Sequence, residues 1–158
     1  MGDQRYLADK DFNSFKATVP IVIRNAMDLS RLTGQSLNAL LELKWQHVEA
    51  IGLPRNRWSV TVGRIRSSHP KTMPISESLE EVLKACKRMK PDFPRQFVLR
   101  LENGLPMSCR EFNSVWRLYM RRWVLSGTGR KPFSFADIRM KSLADRQYAG
   151  LVFRRRGH

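Results

Sequence analysis

Apolar residues recur at helical spacing along much of this chain and alternate over one short stretch. Tyr6–Phe12 reads as a cap followed by a short helix, with Asp9 able to accept hydrogen bonds from the first free amides. Pro20 opens a second helix, where its missing N–H does no harm. Val22, Ala26 and Leu29 share one face of it, with Ile23 and Met27 beside them, and Thr33-Gly34 predicts its end. Ser36 is a good N-cap for a third helix with a buried stripe of Leu37, Leu40, Leu41 and Trp45. Val48–Leu53 reads as a short strand, followed by a turn at Pro54 and Asn56. Trp58, Val60 and Val62 alternate with Ser59, Thr61 and Gly63, so Arg57–Arg64 predicts a strand with one buried face. Ser67-Ser68-His69-Pro70 is the turn, and Lys71–Ile75 the return strand.

Helical periodicity then resumes. Ser78 with Glu81 predicts a capping box for a helix whose stripe is Leu79, Val82, Leu83, Cys86 and Met89. Pro91 and Pro94 close it, Phe97–Leu101 reads as a short strand, and Asn103-Gly104 as a turn. Ser108 with Glu111 is a second capping box, opening a helix with an apolar face of Phe112, Val115, Trp116, Tyr119, Met120 and Trp123. Arg117, Arg121 and Arg122 lie opposite. After the basic loop Gly127–Lys131, Phe133 and Phe135 bracket Ser134, and Ile138 and Leu143 carry an apolar face through a last helical segment. Arg139 sits among these apolar positions, either snorkelling out of a core or aimed into a cleft at an anion. The predicted architecture is α+β and mainly α-helical, with a small antiparallel β-hairpin or sheet packed against helices.

Charge changes the picture more than length does. The 158 residues suffice for one domain with its own core, 1–158. A net charge of +15 implies self-repulsion, so a polyanionic partner is expected. Arginines outnumber lysines 20 to 9, which favours phosphate, because the guanidinium fork matches phosphate oxygens. Cys86 and Cys109 fall at apolar helical positions, as reduced thiols of a cytoplasmic protein would. His47, His69 and His158 are isolated, so neither a metal site nor any other cofactor is expected. No apolar run is long enough for a membrane span.

Four stretches in order resemble the catalytic domain of tyrosine recombinases, the phage-integrase family. Arg5–Phe12 is similar to the opening of that domain, and Leu32–Trp45 resembles its first arginine box. Arg64–Ser76 resembles its hairpin, ending here in Met73-Pro-Ile-Ser76. Phe133–Lys141 resembles the box usually written Phe-x-x-His-Asp-Leu-Arg. The resemblance implies a bacterial or phage-encoded protein of DNA integration and recombination. In that family a tyrosine attacks a DNA phosphate, two arginines clamp the phosphoryl oxygens, a hairpin lysine protonates the leaving oxygen and no metal is needed.

Carried over residue by residue, the catalytic set is broken. Ser36 stands where the first arginine is expected, Arg66 where the lysine is, and Ala136 where the first histidine is. Arg139 survives, and Arg156-Gly157-His158 resembles a later Leu-Gly-His box, so Arg139, Arg66 and His158 are the remnant catalytic positions. A core-binding domain before this one and the tyrosine segment after it are expected to be absent. Tyr148 lies only nine positions after Arg139, too early for the family pattern. The resemblance implies a domain, of prophage type, that binds double-stranded DNA through Arg64, Arg66, Lys71, Arg121, Arg122, Arg130, Lys131 and Arg139 but does not cleave it alone. The hairpin's basic residues read equally as a solvated face. Other readings are a regulatory or decoy partner of an intact integrase, self-association, and a basic RNA-binding protein.

Overall fold

The computed structural model describes residues 6–45, 48–50, 58–62, 71–74, 76–88 and 97–156, with the backbone course alone for 48–50, 58–62, 71–74 and 147–156. Among the described residues nine elements follow in order: α1 (Asp9–Lys16), α2 (Ile21–Thr33), α3 (Leu37–Glu42), β1 (Val48–Ala50), β2 (Trp58–Val62), β3 (Lys71–Pro74), α4 (Glu77–Arg88), α5 (Cys109–Ser126) and α6 (Phe135–Arg156).

The hub is α2, which packs against α1, α3, α4 and α6. Its sequence permits this because apolar residues surround much of its circumference. Val22, Ile23, Ala26, Met27 and Leu29 are all buried. Pro20 stands at its N-cap, and Gly34 ends it at φ 71°, a left-handed conformation that glycine adopts without a Cβ penalty. Ser36 caps α3 by accepting from the Ala39 amide.

A second layer of the core is aromatic. Phe112, Trp116, Met120 and Trp123 of α5 are buried, as the stripe predicts, with Val115 and Tyr119 partly buried. They enclose Phe15 of α1 and meet Phe133 and Phe135 at the start of α6. Phe15 lies 4.8 Å from Trp116 and 5.3 Å from Phe133, centroid to centroid, in edge-on geometry. The polar edges are satisfied: the Trp123 indole donates to Ser14 Oγ and the Trp116 indole to the Phe133 carbonyl. The Ser108–Glu111 box caps α5 in both directions.

The strands form one antiparallel sheet of order β1-β2-β3, with Val48 opposite Val60 and Val62 opposite Lys71.

Five sequence expectations are corrected. Asp9 does not cap α1; Ala8 occupies the N-cap, and the Asp9 carboxylate is drawn instead to Lys141 and Arg31. The cap of α4 is Ser76 rather than Ser78, since the Leu79 amide donates to Ser76 Oγ. Phe97–Leu101 is not a strand. Phe97 bridges Lys44 and Arg100 bridges Pro106, two different partners, so no ladder propagates. Leu41 is only partly buried, the buried face of α3 being Ala39 and Leu40. Leu143 is 41% exposed. Five residues past Ile138 is roughly 140° round a helix, so the buried face passes through Lys141 and Ser142 instead. Met89 lies outside the described residues.

Candidate nucleic-acid interface

α6 opens with a reciprocal cap that fixes where its later side chains fall. The Ser134 amide donates to the Asp137 carboxylate at 2.8 Å, and the Asp137 amide donates back to Ser134 Oγ. Ile138 is then fully buried against the core, which leaves Arg139 about 100° round, at the rim. The residue is exposed, yet its side chain reaches across to α2, where Nε donates to the Gly34 carbonyl at 3.0 Å. Two turns on, Arg146 Nη2 donates to the Leu32 carbonyl at 2.7 Å. Both cations thus sit at the negative end of the α2 dipole. Ser36, exposed, lies two residues beyond Gly34 in the same loop, and Ala136 is exposed one turn before Arg139 on α6.

Lys141, on the inner side of α6, has no accessible side-chain surface. Its ammonium lies 2.6 Å from Asp9 Oδ1 and 3.5 Å from Asp145 Oδ2, donates to the Tyr6 hydroxyl and stands 4.3 Å from the Tyr6 ring centroid. The Tyr6 hydroxyl donates in turn to Asp145 Oδ1 at 2.6 Å. Burial opposes the charge on Lys141. The bonds to Asp9 and Tyr6 and the Asp145 carboxylate outweigh that opposition, so its pKa lies above the ordinary lysine value. The hydrogen bond from Lys141 holds Asp9 below the usual carboxylate value despite its own desolvation, with help from Arg31. Burial pushes the Cys86 thiol up to about 12, so it is an inert packed thiol.

The sequence-chosen cations divide. Arg121, Arg122 and Lys131 are exposed, Arg122 lying over the Tyr119 ring at 5.5 Å. Arg130 is turned inward, donating to the Trp123 carbonyl and Ser126 Oγ and lying 5.0 Å from the Trp123 ring. A Cβ at Gly127 would collide with that guanidinium. Lys71 lies in β3, described by its backbone, whereas Arg64, Arg66 and His158 lie outside the described residues. The structure therefore brings Arg139 to the Gly34–Ser36 loop and does not bring Arg121, Arg122 or Lys131 into contact with it.

Sequence reasoning missed Lys141, Tyr6 and Arg146. The signal was present: positions 141 and 142 follow Ile138 at helical spacing, and 146 follows Arg139 by two turns. Among the described residues, no group of acidic, His or Cys side chains could hold a metal ion, and no helix is long and apolar enough to cross a membrane.

No family model and no curated protein matches the sequence. Solved structures do. The lambda integrase catalytic core is similar over 87% of this chain and 83% of its own, with a TM-score of 0.63 at 22% identity. A lambda integrase tetramer bound to a Holliday junction matches at TM-score 0.63 and 21% identity, over 87% of this chain. This chain spans only 41% of that protein. The Tn1549 transposon integrase in complex with circular intermediate DNA matches at TM-score 0.75 and 16% identity, over 95% of this chain and 54% of its own. The chain has the fold of the lambda integrase catalytic core and of the Tn1549 transposon integrase.

Proposed function

We propose that this chain is an integrase-type domain that binds double-stranded DNA in the cytoplasm of a bacterium and, by itself, does not cut it. One observation carries the reading. Arg139, the surviving arginine of the motif, donates to the Gly34 carbonyl in the loop where the first arginine box begins. Two stretches 105 residues apart meet there, which supports a phosphate clamp built from both. The +15 charge supports a polyanion as the partner. The integrases of like fold include ones bound to DNA. The small sheet is proposed to pack on the helices, and Arg64, Arg66 and Lys71 are proposed to contribute to the DNA-binding surface.

The same loop argues against cleavage. Ser36 offers a hydroxyl where a second guanidinium is expected, and Ala136 cannot move a proton. Losing one transition-state donor costs about 3–4 kcal/mol, and losing a proton-transfer group costs about two to four orders of magnitude in rate. Neither tyrosine whose side chain is described compensates. The Tyr6 hydroxyl is engaged by Lys141 and Asp145, and Tyr119 is half-buried beneath Arg122. The Tyr148 backbone position is nine residues past Arg139 on the continuous α6, about 13 Å along the axis and half a turn round.

A salt titration tests the binding. With about five phosphates neutralised, log K for a duplex falls against log salt with a slope near −4 to −5. A flat dependence, or tighter binding to an RNA hairpin than to duplex DNA, would remove this reading in favour of a protein partner or RNA.

A further inference from the structure

Two arginines of one helix grip the end of α2, and only one belongs to the motif that the sequence singled out. Arg139 and Arg146 are seven residues apart on α6, so they share a side of it with about 10 Å between them along the axis. Their guanidiniums nevertheless meet carbonyls only two residues apart, Gly34 and Leu32, so the arms converge. Arg146 Nη1 lies 3.4 Å, and Ser142 Oγ 3.5 Å, from where a side chain on Gly34 would begin. Ser142 is 2% exposed, and its hydroxyl has no hydrogen-bond partner among the described residues.

A cap on α2 accounts for one of these cations but not both. The negative pole of a helix is worth about half a charge, so two guanidiniums leave a surplus of about 1.5 positive charges. No carboxylate of the described residues forms an ion pair with either. Asp137 is engaged by the Ser134 amide, and Asp145 by Lys141 and Tyr6. Each guanidinium has five N–H groups, of which a backbone carbonyl takes one, and both residues are exposed. Two forks converging on a glycine loop, with no described acid paired to them, suit the oxygens of a phosphate.

We propose that Arg139 and Arg146 together clamp one phosphodiester of duplex DNA, Arg146 supplying from α6 the second guanidinium that Ser36 does not supply from the loop. This rests on the DNA-binding reading and adds a residue to it. Gly34 is part of the device, because a side chain there would crowd the space between Arg146 and Ser142.

The test is fluorescence anisotropy of the full chain with a labelled duplex across a range of salt. Arg146→Ala is expected to weaken binding roughly tenfold and to make the salt slope shallower by about 1. Arg146→Lys keeps the charge and the slope but loses part of the affinity with the fork. If the unmodified chain does not bind, the DNA reading itself fails and the clamp with it. If it binds, and Arg146→Ala keeps both affinity and slope, the clamp alone is wrong and Arg146 is only a helix cap. Should the alanine variant not fold, phenylglyoxal labelling of the unmodified chain decides. The clamp requires duplex DNA to slow modification of Arg146 and Arg139 alike, and an unchanged rate at Arg146 overturns it.

Discussion

α6 meets two different interiors within three turns. Its first turn places Phe135 and Ile138, with Phe133 just before, into the aromatic layer of Phe15, Phe112, Trp116 and Trp123. One turn further, Lys141 and Ser142 are buried as deeply, but Lys141 lies among Tyr6, Asp9 and Asp145 and Ser142 against Gly34. The aromatic interior is held by area and edge-on ring contacts, which add about 0.5–1.5 kcal/mol per pair and tolerate adjustment. The polar interior is held by partners, and a buried cation without them would be costly. The contrast separates two tasks. The aromatic layer makes α5 and α6 one body, whereas the Lys141 network ties the stretch before α1 to the helix that carries Arg139 and Arg146.

Substitutions on either side should differ in size and in kind. Trp123→Ala should cost most, about 3–5 kcal/mol, by opening a cavity against Phe15 and Phe133 and orphaning Ser14. Chemical denaturation measures it, and a loss under 1 kcal/mol would show that the layer is not continuous. Lys141→Met should cost less, about 1–3 kcal/mol, because Asp9 and Asp145 are partly exposed and return to water. A gain in stability would show that the network serves orientation rather than folding. Ser134→Ala removes the cap of α6 and should cost about 1 kcal/mol, read from the thermal midpoint, without altering the aromatic packing seen by tryptophan fluorescence.

The smallest effect distinguishes the two interiors by pH. Asp9 is held below its ordinary 3.8, so its contribution is present above that value and is lost as pH falls through the lower folded one. Lys141 is held above its ordinary 10.5, so its contribution is present below that value and is lost as pH rises through the higher folded one. These groups therefore leave the thermal midpoint level between about pH 5 and 9 and lower it outside that window. Lys141→Met should flatten the alkaline limb. An unchanged limb in that variant would assign the alkaline loss to other groups.

The aromatic layer was legible in the sequence, and the polar one was not. The stripe from Phe112 to Trp123 obeys helical spacing with apolar residues throughout, so pattern alone located it. Ser108, Ser36 and Gly34 were equally readable, because a cap is decided within a few residues. Asp9 has the chemistry of a local cap, but a lysine 132 residues away competes for it, which no local rule contains. Leu143 was assigned to the apolar face on hydrophobicity, although its angular position from Ile138 contradicts that and points to Lys141. At the candidate site, the resemblance marked Arg139. The fold was needed to find Arg146, because its role depends on the convergence of two arms on α2.

The central claim is that the chain holds DNA without cutting it, and a nicked suicide duplex tests both halves at once. The complex is followed on a native gel and again after denaturation in detergent. The account predicts a salt-sensitive shifted band under native conditions that disappears completely in detergent, leaving uncut DNA and free protein. A detergent-resistant, protease-sensitive adduct lost on Tyr148→Phe would contradict it by making Tyr148 a nucleophile, and the absence of any native shift would contradict it from the other side.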